Sequence, residues 1–250
     1  MYRNLYRHQF PLLKAMSENE YDPQKMFEDL KHLFICYEER KQKDFENEDN
    51  DCLAISGTYV LNRSWNNKIY LQNFRLGVVL TKPLPHVYIL DDIKDIKKSG
   101  FDHFYKNDRC CLGTDVAVLL SWGTEYSTKT FFENNVDPFL INTISYKEEK
   151  YAVMGELKHG KKGMEEYYCE LLGIKYFELR NAIFTIYRAI LNKTIPINQT
   201  CFCKNNTFGN CSCNGKNVLV RMIRDQTLAS CFYHDMRLIP WTKGIKYRKR

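Results

Sequence analysis

Long apolar runs are missing from this sequence. None of its segments approaches the roughly 18 consecutive apolar residues that a membrane-spanning helix requires. The opening ten residues likewise lack the apolar core of a secretory signal peptide. We therefore expect a cytosolic protein without a membrane partner. With 44% hydrophobic and 14% aromatic residues, the chain can bury a substantial core, as one large domain or as a core domain with an appendage.

Acidic residues are missing from the last ten positions, which contain five basic side chains. The formal charge of the whole chain is +7, so the remainder carries only about +2. This distribution argues against a nucleic-acid-binding domain, and it predicts a basic tail that attracts an acidic partner. The segment from Leu238 to Trp241 is apolar, so anchoring of the tail on the core is the alternative.

Apolar spacing predicts an α+β protein. A helix with Pro23 in its first turn is expected from Asp22 to about Arg40. Segments rich in β-branched and aromatic residues predict a small antiparallel sheet with strands at 53–61, 69–80 and 87–90. Helical spacing predicts further helices at about 115–120, 128–142, 164–172 and 177–191.

A polar loop before the helix at 115 contains the adjacent thiols Cys110 and Cys111. Because residues 113–115 supply turn and N-cap chemistry, we expect Cys111 near the positive end of a helix dipole, where a thiol ionises more readily. In an extended segment, alternation sends one of the two thiols to the core and the other to a cleft. The alternative is that both thiols are inert packing residues, as most unpaired cysteines are.

The order of these parts resembles that of ubiquitin-conjugating enzymes. Those enzymes have an N-terminal helix, a meander of strands, a Pro-x-Pro-x-Val segment before the last strand, a loop with His, then Cys-Leu and further helices. The matching parts here are Pro83-Leu-Pro-His-Val87, His103 and Cys111-Leu112, and the resemblance covers roughly residues 22–175. It is closer to divergent bacterial ubiquitin-conjugating-like proteins, which carry a His-Gly-x-x-Gly segment before a Glu-Tyr-rich helix, similar to residues 159–168.

The resemblance implies that Cys111 forms a thioester with the C-terminal carboxyl of a protein, with Cys110 as the alternative nucleophile. The family's His-Pro-Asn tripeptide is His103-Phe104-Tyr105 here, so its Asn has no direct match. Asn107, or backbone N–H groups at 113–114, could stabilise the oxyanion instead. Asn107 could equally be an ordinary turn residue. His103 is a candidate for orienting the loop or for acting as a base.

A second group of thiols forms a Cys-x-Cys, seven residues, Cys-x-Cys pattern: Cys201, Cys203, Cys211 and Cys213. In a cytosolic chain such a cluster favours a metal over disulfides, and four thiolates can close a tetrahedral Zn²⁺ site. The residues between the pairs are too poor in apolar side chains to fold unaided, so zinc would substitute for a core. The pattern is similar to the small SEC-C-type zinc motif, whose second half differs, so Cys231 or His234 is an alternative to Cys213 as a ligand.

These features predict a ubiquitin-conjugating-enzyme-like domain at residues 1–195, with an antiparallel sheet flanked by helices. A Cys-rich zinc-binding segment and the basic tail would occupy residues 196–250. The resemblance implies a cysteine acyltransferase of bacterial anti-phage (CBASS-type) operons that modifies or primes a cGAS-like nucleotidyltransferase. Since no glycine-rich phosphate loop or activating-enzyme domain is recognisable, adenylation must come from elsewhere. The competing function, which the missing His-Pro-Asn favours, is an inactive zinc-containing adaptor.

Overall fold

The structure is a computed structural model that describes residues 21–46, 51–91, 93–155 and 160–237. These residues form two compact units. Described residues of 21–113 and 120–155 make up the first unit, and residues 114–119 and 160–237 make up the second. The sequence predicted a boundary after residue 195, whereas the two helices before that point pack in the second unit against the helix that follows the cysteine cluster.

The first unit contains helix α1 (Pro23–Leu33) and a four-stranded antiparallel sheet in the order β1-β2-β3-β4. The strands are β1 (Tyr37–Lys41), β2 (Leu53–Trp65), β3 (Lys68–Val79) and β4 (His86–Ile89). Asn66 and Asn67, with φ angles of 48° and 63°, form the two-residue turn between β2 and β3, as left-handed Asn residues do in hairpins. The predicted antiparallel sheet is confirmed, and β1 is an additional strand that the sequence did not predict.

The prediction that the first helix continues to about Arg40 is wrong. The chain leaves the helix at Phe34, whose backbone is extended with φ −84° and ψ 137°. Gly57 of β2 makes room for the Phe34 ring, because a Cβ at Gly57 would lie only 2.3 Å from Phe34 Cδ2. Backbone hydrogen bonds then join the chain to β2: Ile35 N–H donates to the Thr58 carbonyl at 2.9 Å. Strand pairing therefore outweighs the helical spacing of the apolar residues that continue beyond the helix.

Helices cover the rest of the first unit: α2 (Ile93–Lys98), the end of α3 (Asp115–Trp122), α4 (Thr128–Phe131) and α5 (Asp137–Glu149). A π-helical turn, Phe132–Val136, joins α4 to α5, so the predicted helix at 128–142 is confirmed with one irregular turn. Asp137 is buried at the start of α5 and accepts hydrogen bonds from Tyr59 Oη at 2.6 Å and Arg63 Nε at 2.5 Å. This paired carboxylate fastens α5 to β2.

The second unit consists of helices around the cysteine cluster: α6 (Gly160–Leu172), α7 (Leu179–Asn192), α8 (Asn214–Arg224) and α9 (Gln226–Arg237). The helices predicted at 115–120, 164–172 and 177–191 are confirmed, whereas α8 and α9 were not predicted. Tyr168, fully buried on α6, donates to Asp235 Oδ2 on α9 at 2.9 Å. His159 of the His-Gly-x-x-Gly segment and the basic tail lie outside the described residues. Among the described helices, none has both the length and the apolar character needed to cross a membrane.

Candidate functional site

The loop that carries Cys111 is a tight antiparallel hairpin. Tyr105 N–H donates to the Arg109 carbonyl at 2.9 Å, and Cys111 N–H donates to the His103 carbonyl at 2.9 Å. Asp108 completes the turn with a left-handed backbone, φ 65°, and its N–H donates to the Tyr105 carbonyl at 3.0 Å. Residues 103–111 therefore have a defined backbone, and we call them the cysteine hairpin.

The cysteine hairpin lies beside β4. Cys110 N–H donates to the Val87 carbonyl at 2.8 Å, and Tyr88 forms an antiparallel bridge with Arg109. On its other side, Cys110 forms a bridge with Phe104. The backbone at Cys110 is thus paired on both sides, and an isolated bridge connects the hairpin to β4.

Strand alternation separates the two adjacent thiols, as predicted. Cys110 is only 4% exposed, and burial raises the pKa of its thiol, whereas Cys111 is partly exposed. The bridge between Phe104 and Cys110 makes His103 and Cys111 direct cross-strand neighbours, whose side chains leave the same face of the hairpin. The pairing brings the predicted nucleophile and the predicted histidine together, although eight positions separate them in the sequence.

The other predicted polar residues have local roles in the structure. Asn107 is exposed in the turn of the hairpin, and its Nδ2 lies 3.5 Å from Tyr88 Oη. Thr114 caps α3, since its Oγ1 accepts from Ala117 N–H at 3.1 Å. Helix α3 begins at Asp115, so the predicted N-cap chemistry is confirmed. Oxyanion stabilisation by Asn107 stays a prediction.

A chain of side-chain hydrogen bonds, which the sequence did not predict, holds the cysteine hairpin against β4; we call it the polar chain. Arg109 Nη1 lies 2.6 Å from His86 Nε2, and His86 Nδ1 lies 2.5 Å from Glu46 Oε1. Because a guanidinium only donates, His86 Nε2 accepts, and the proton on Nδ1 is donated to Glu46. The Arg109 guanidinium also lies 4.0 Å from the centre of the Tyr105 ring.

Glu46 is the buried anchor of this chain. Tyr88 Oη donates to its Oε1 at 2.6 Å and Gln42 Nε2 donates to its Oε2 at 2.7 Å. Burial opposes ionisation, but the hydrogen bonds from Tyr88, Gln42 and His86 outweigh it and lower the pKa of Glu46. The only local signal for this site is His86 within the Pro83–Val87 motif, because Glu46 lies 40 positions away in the sequence.

The four clustered cysteines of the second unit converge as predicted. Cys201 Sγ lies 3.3 Å from Cys213 Sγ, Cys203 Sγ lies 3.3 Å from Cys211 Sγ, and all four sulfurs lie within 4.8 Å of one another. All are free thiols rather than disulfides. These four side chains could hold a metal ion.

Backbone geometry arranges these sulfurs. Cys201 N–H donates to the Asn206 carbonyl at 2.8 Å, and Lys204 adopts a left-handed backbone, φ 63°, in the turn after the first pair. Cys213 N–H donates to Cys211 Sγ at 3.4 Å, and this hydrogen bond lowers the pKa of the Cys211 thiol to about 7. Such N–H···S contacts orient thiolate ligands and favour their charged form.

Helix α8 begins at Asn214, directly after the last cysteine of the cluster. The start of the helix packs closely, because a Cβ on Gly215 would lie 2.9 Å from Phe202 Cδ2. The Phe202 ring in turn contacts the Phe208 ring at a centroid distance of 4.9 Å. The cysteine loop therefore encloses a small aromatic core of its own.

The alternative ligands lie in another cluster. His234 Nδ1 is 3.1 Å from Asp115 Oδ2, and these two residues group with buried Asp235. Burial and the charge of Asp115 raise the pKa of Asp235 to about 7. Cys231 is buried on α9 beside the same acidic groups. The structure thus gathers Cys213, and neither Cys231 nor His234, with the other three cysteines.

Comparison with known proteins identifies no relative of this chain. No family model matches the chain, and no curated protein or solved structure matches it significantly. The resemblance to ubiquitin-conjugating enzymes therefore stays an inference from the order of motifs and elements.

We predict that Cys111 reacts with iodoacetamide at least about 100-fold faster than Cys110 in the native protein, since burial excludes the reagent from Cys110 and raises the pKa of its thiol. Peptide mass spectrometry of the Cys110→Ala and Cys111→Ala variants assigns the label between the neighbours. Exposed Cys36 is the internal positive control. Faster labelling of Cys110 would show that Cys110, and not Cys111, is the accessible thiol of the hairpin.

We predict that Glu46→Gln lowers the free energy of unfolding by about 1–3 kcal/mol near pH 7, because it weakens hydrogen bonds to a charged acceptor. The folded pKa of Glu46 is below its ordinary value, so its contribution is complete above about pH 5 and is lost as the pH falls through the folded pKa.

Urea unfolding at about pH 7 and about pH 3 measures this difference, which should shrink at the lower pH. Glu38→Gln is the matched control, because Glu38 is exposed and its surface ion pair with Arg40 contributes little. A difference that is the same at both pH values would show that the charge of Glu46 is not what stabilises the fold.

Proposed function

We propose that this protein is a cysteine acyltransferase of the ubiquitin-conjugating kind, with Cys111 as its nucleophile. The observation that carries the proposal is the cysteine hairpin. It presents Cys111 and His103 on one face, whereas it buries the neighbouring thiol of Cys110. A thioester-forming enzyme needs an accessible thiol as its nucleophile and a group nearby that can act as a base.

The order of the elements supports the same proposal. Helix α1 precedes an antiparallel meander, β4 begins within the Pro83–Val87 segment, and the hairpin with His103 and Cys111-Leu112 leads to the remaining helices. This is the layout on which the resemblance to ubiquitin-conjugating enzymes rests. Strand β1, which the motifs did not use, belongs to the same antiparallel meander.

The chemistry has two steps. The Cys111 thiolate attacks the thioester carbonyl of a protein C-terminus carried on a separate activating enzyme, forming a new C–S bond and releasing the donor thiolate. An acceptor amine then attacks the Cys111 thioester, so that an amide forms, the amine gives up one proton and Cys111 leaves as a thiolate. A thiolate departs readily, so the acyl group keeps its reactivity towards amines.

His103 is the side chain placed to assist. As the cross-strand neighbour of Cys111, it lies on the face where the acceptor amine must approach and is our candidate for taking up that proton. Its ring also lies 5.0 Å from the ring of buried Phe101, which limits its movement. The Glu46–His86–Arg109 chain holds the hairpin in place, and Asn107 is the candidate donor to the oxyanion.

The proposed partner is a cGAS-like nucleotidyltransferase of a bacterial anti-phage operon, which would be the acceptor that is modified or primed. This part of the proposal rests on the resemblance. A cytosolic location and a separate activating enzyme belong to the same proposal. The basic residues of the last ten positions would then attract an acidic surface of the partner.

An inactive adaptor is the second candidate. It is favoured by Phe104 and Tyr105, which occupy the positions of Pro and Asn in the family's His-Pro-Asn. Phe104 packs edge-on against Phe101 and Phe139, and Tyr105 lies under the Arg109 guanidinium. Neither residue offers an amide to an oxyanion, so catalysis depends on another donor.

We further propose that the four cysteines of the second unit bind Zn²⁺. Tetrahedral zinc–thiolate bonds of about 2.3 Å separate the sulfurs by roughly 3.8 Å, and the paired sulfurs here lie 3.3 Å apart within a group that spans less than 4.8 Å. Cys201, Cys203, Cys211 and Cys213 would supply all four ligands, which makes the site structural. A small shift of the thiols, well within thermal motion, is enough to admit the ion.

We predict that the wild-type protein, expressed with a tag in cells that naturally encode it, forms an adduct that dithiothreitol removes. Cys111→Ser should trap an ester that resists dithiothreitol, Cys111→Ala should abolish the adduct, and the matched control Cys110→Ala should retain it, because of these two thiols only Cys111 is accessible. Denaturing gels and mass spectrometry detect each form. Adducts that persist in Cys111→Ala would favour the adaptor.

We predict about one zinc ion per chain in protein purified without chelator, measured by elemental analysis. Cys203→Ser should lower the zinc content several-fold and destabilise the second unit, since a thiolate ligand is lost. Cys169→Ser is the matched control, because Cys169 lies on α6 outside the cluster. Metal-free wild-type protein with four readily alkylated thiols would contradict the zinc site.

A further inference from the structure

One surface of the second unit combines exposed aromatic and basic side chains. Phe177, Arg180, Phe184 and Arg188 follow one another at spacings of three or four residues, from the 3₁₀ turn before α7 along its outer side. Phe177 is 74% exposed, both arginines are exposed, and Phe184 is partly exposed. We call this surface the α7 face.

Cations lie beside both rings of the α7 face. The Arg180 guanidinium is 5.8 Å from the centre of the Phe184 ring, and Lys204 Nζ is 6.0 Å from the centre of the Phe177 ring. Lys204 belongs to the turn of the cysteine loop, so that loop adds to the same surface. Apolar rings and positive charges therefore alternate over the whole face.

A groove with a volume of about 500 Å³ runs beside this row. Phe184 and Arg188 form part of its wall, and the remaining wall includes the uncharged polar residues Asn181, Asn192 and Gln199. Arg188 is the only charged residue that lines the groove. Within the described part of the chain, no carboxylate lies within ion-pair distance of Arg188.

The segment that forms the α7 face contains little negative charge of its own. Between residues 176 and 204 the sequence contains four basic residues and one acidic residue, Glu178. Glu178 forms an ion pair with Lys204 and accepts a hydrogen bond from Lys175 N–H at 2.9 Å, and these contacts lower its pKa. The segment thus has a net positive charge at neutral pH, and Glu165 of α6 is the acidic neighbour at its start, where it accepts a hydrogen bond from Tyr176 Oη at 3.0 Å.

We propose that the α7 face binds single-stranded nucleic acid. Backbone phosphates would contact Arg180 and Arg188, unstacked bases would stack on Phe177 and Phe184, and the groove amides would bond base edges. A double helix hides the base faces that such rings require, and an acidic peptide would leave the rings exposed. The proposal does not depend on thioester chemistry at Cys111.

The formal charge of the chain does not reveal such a surface. A charge of about +2 outside the last ten residues argued against a nucleic-acid-binding domain, but that sum averages acidic and basic surfaces. Affinity for a strand depends on the charges and rings within its path, which here belong to one helix and one turn. A local binding face is therefore compatible with a modest total charge.

The test is fluorescence anisotropy of the full chain with labelled oligo-dT and oligo-U of about 12 nucleotides, titrated between about 50 and 200 mM salt. Phe184→Leu keeps the apolar volume but removes the ring, and it should weaken binding about 5- to 100-fold. Arg188→Gln should also weaken binding. It should reduce the steepness of the plot of the log binding constant against log salt concentration by about 0.7, the contribution of one phosphate contact to a single strand. Lys162→Gln on α6 removes the same charge elsewhere and should leave affinity nearly unchanged.

Several results would overturn the proposal. The first is that neither oligonucleotide binds while circular dichroism shows the chain folded. Another is binding that persists in Phe184→Leu and Arg188→Gln but disappears on removal of residues 243–250, which would assign it to the basic tail. Equal competition by an oligo-glutamate peptide would identify an acidic-protein surface instead, and tighter binding of duplex DNA would exclude base stacking.

Discussion

The geometry of the candidate active site depends on the hydrogen bonds that one buried carboxylate, that of Glu46, accepts. An unpaired carboxylate in the position of Glu46 would be costly, and three donors, from Gln42, Tyr88 and His86, meet that need. Donation by His86 Nδ1 leaves its Nε2 as an acceptor, which only a donor such as Arg109 can satisfy. One chain of hydrogen bonds thus connects Glu46, in the loop before β2, through His86 of β4 to Arg109 of the cysteine hairpin.

The position of Arg109 then fixes the two thiols. Once Arg109 pairs with Tyr88 of β4, alternation directs Cys110 inwards and returns Cys111 to the side of Arg109 and Tyr105. A shift of register by one residue would bury Cys111 and expose Cys110. The polar chain therefore fixes the register of the hairpin, and this register decides which of the two thiols is exposed, although the chain touches neither thiol.

Features with local causes were predictable from the sequence, and features with distant causes were not. Strands β2 and β3 are rich in β-branched and aromatic residues and are joined by an Asn-Asn turn, and the cysteine spacing itself indicates convergence of the four thiols. The end of α1 depends on Gly57, which lies 23 positions after Phe34 and gives its ring room. Likewise, Glu46 and His86 are distant in the sequence and meet only once the sheet has formed. The spacing of apolar residues beyond Leu33 is compatible with a helix and with a strand, so it does not show where α1 ends.

The second unit shows how a local pattern can have wider consequences. Cys213 contributes a sulfur to the cluster and is the residue before α8, while Gly215 lets Phe202 of the cysteine loop pack on the helix start. Any ion held by the four thiols would thereby fix the position of α8 and, through the packing of α8 on α6 and α7, the helices that precede the cluster. The packing of α8 on α6 and α7 explains why helices on both sides of the cysteines belong to one compact unit.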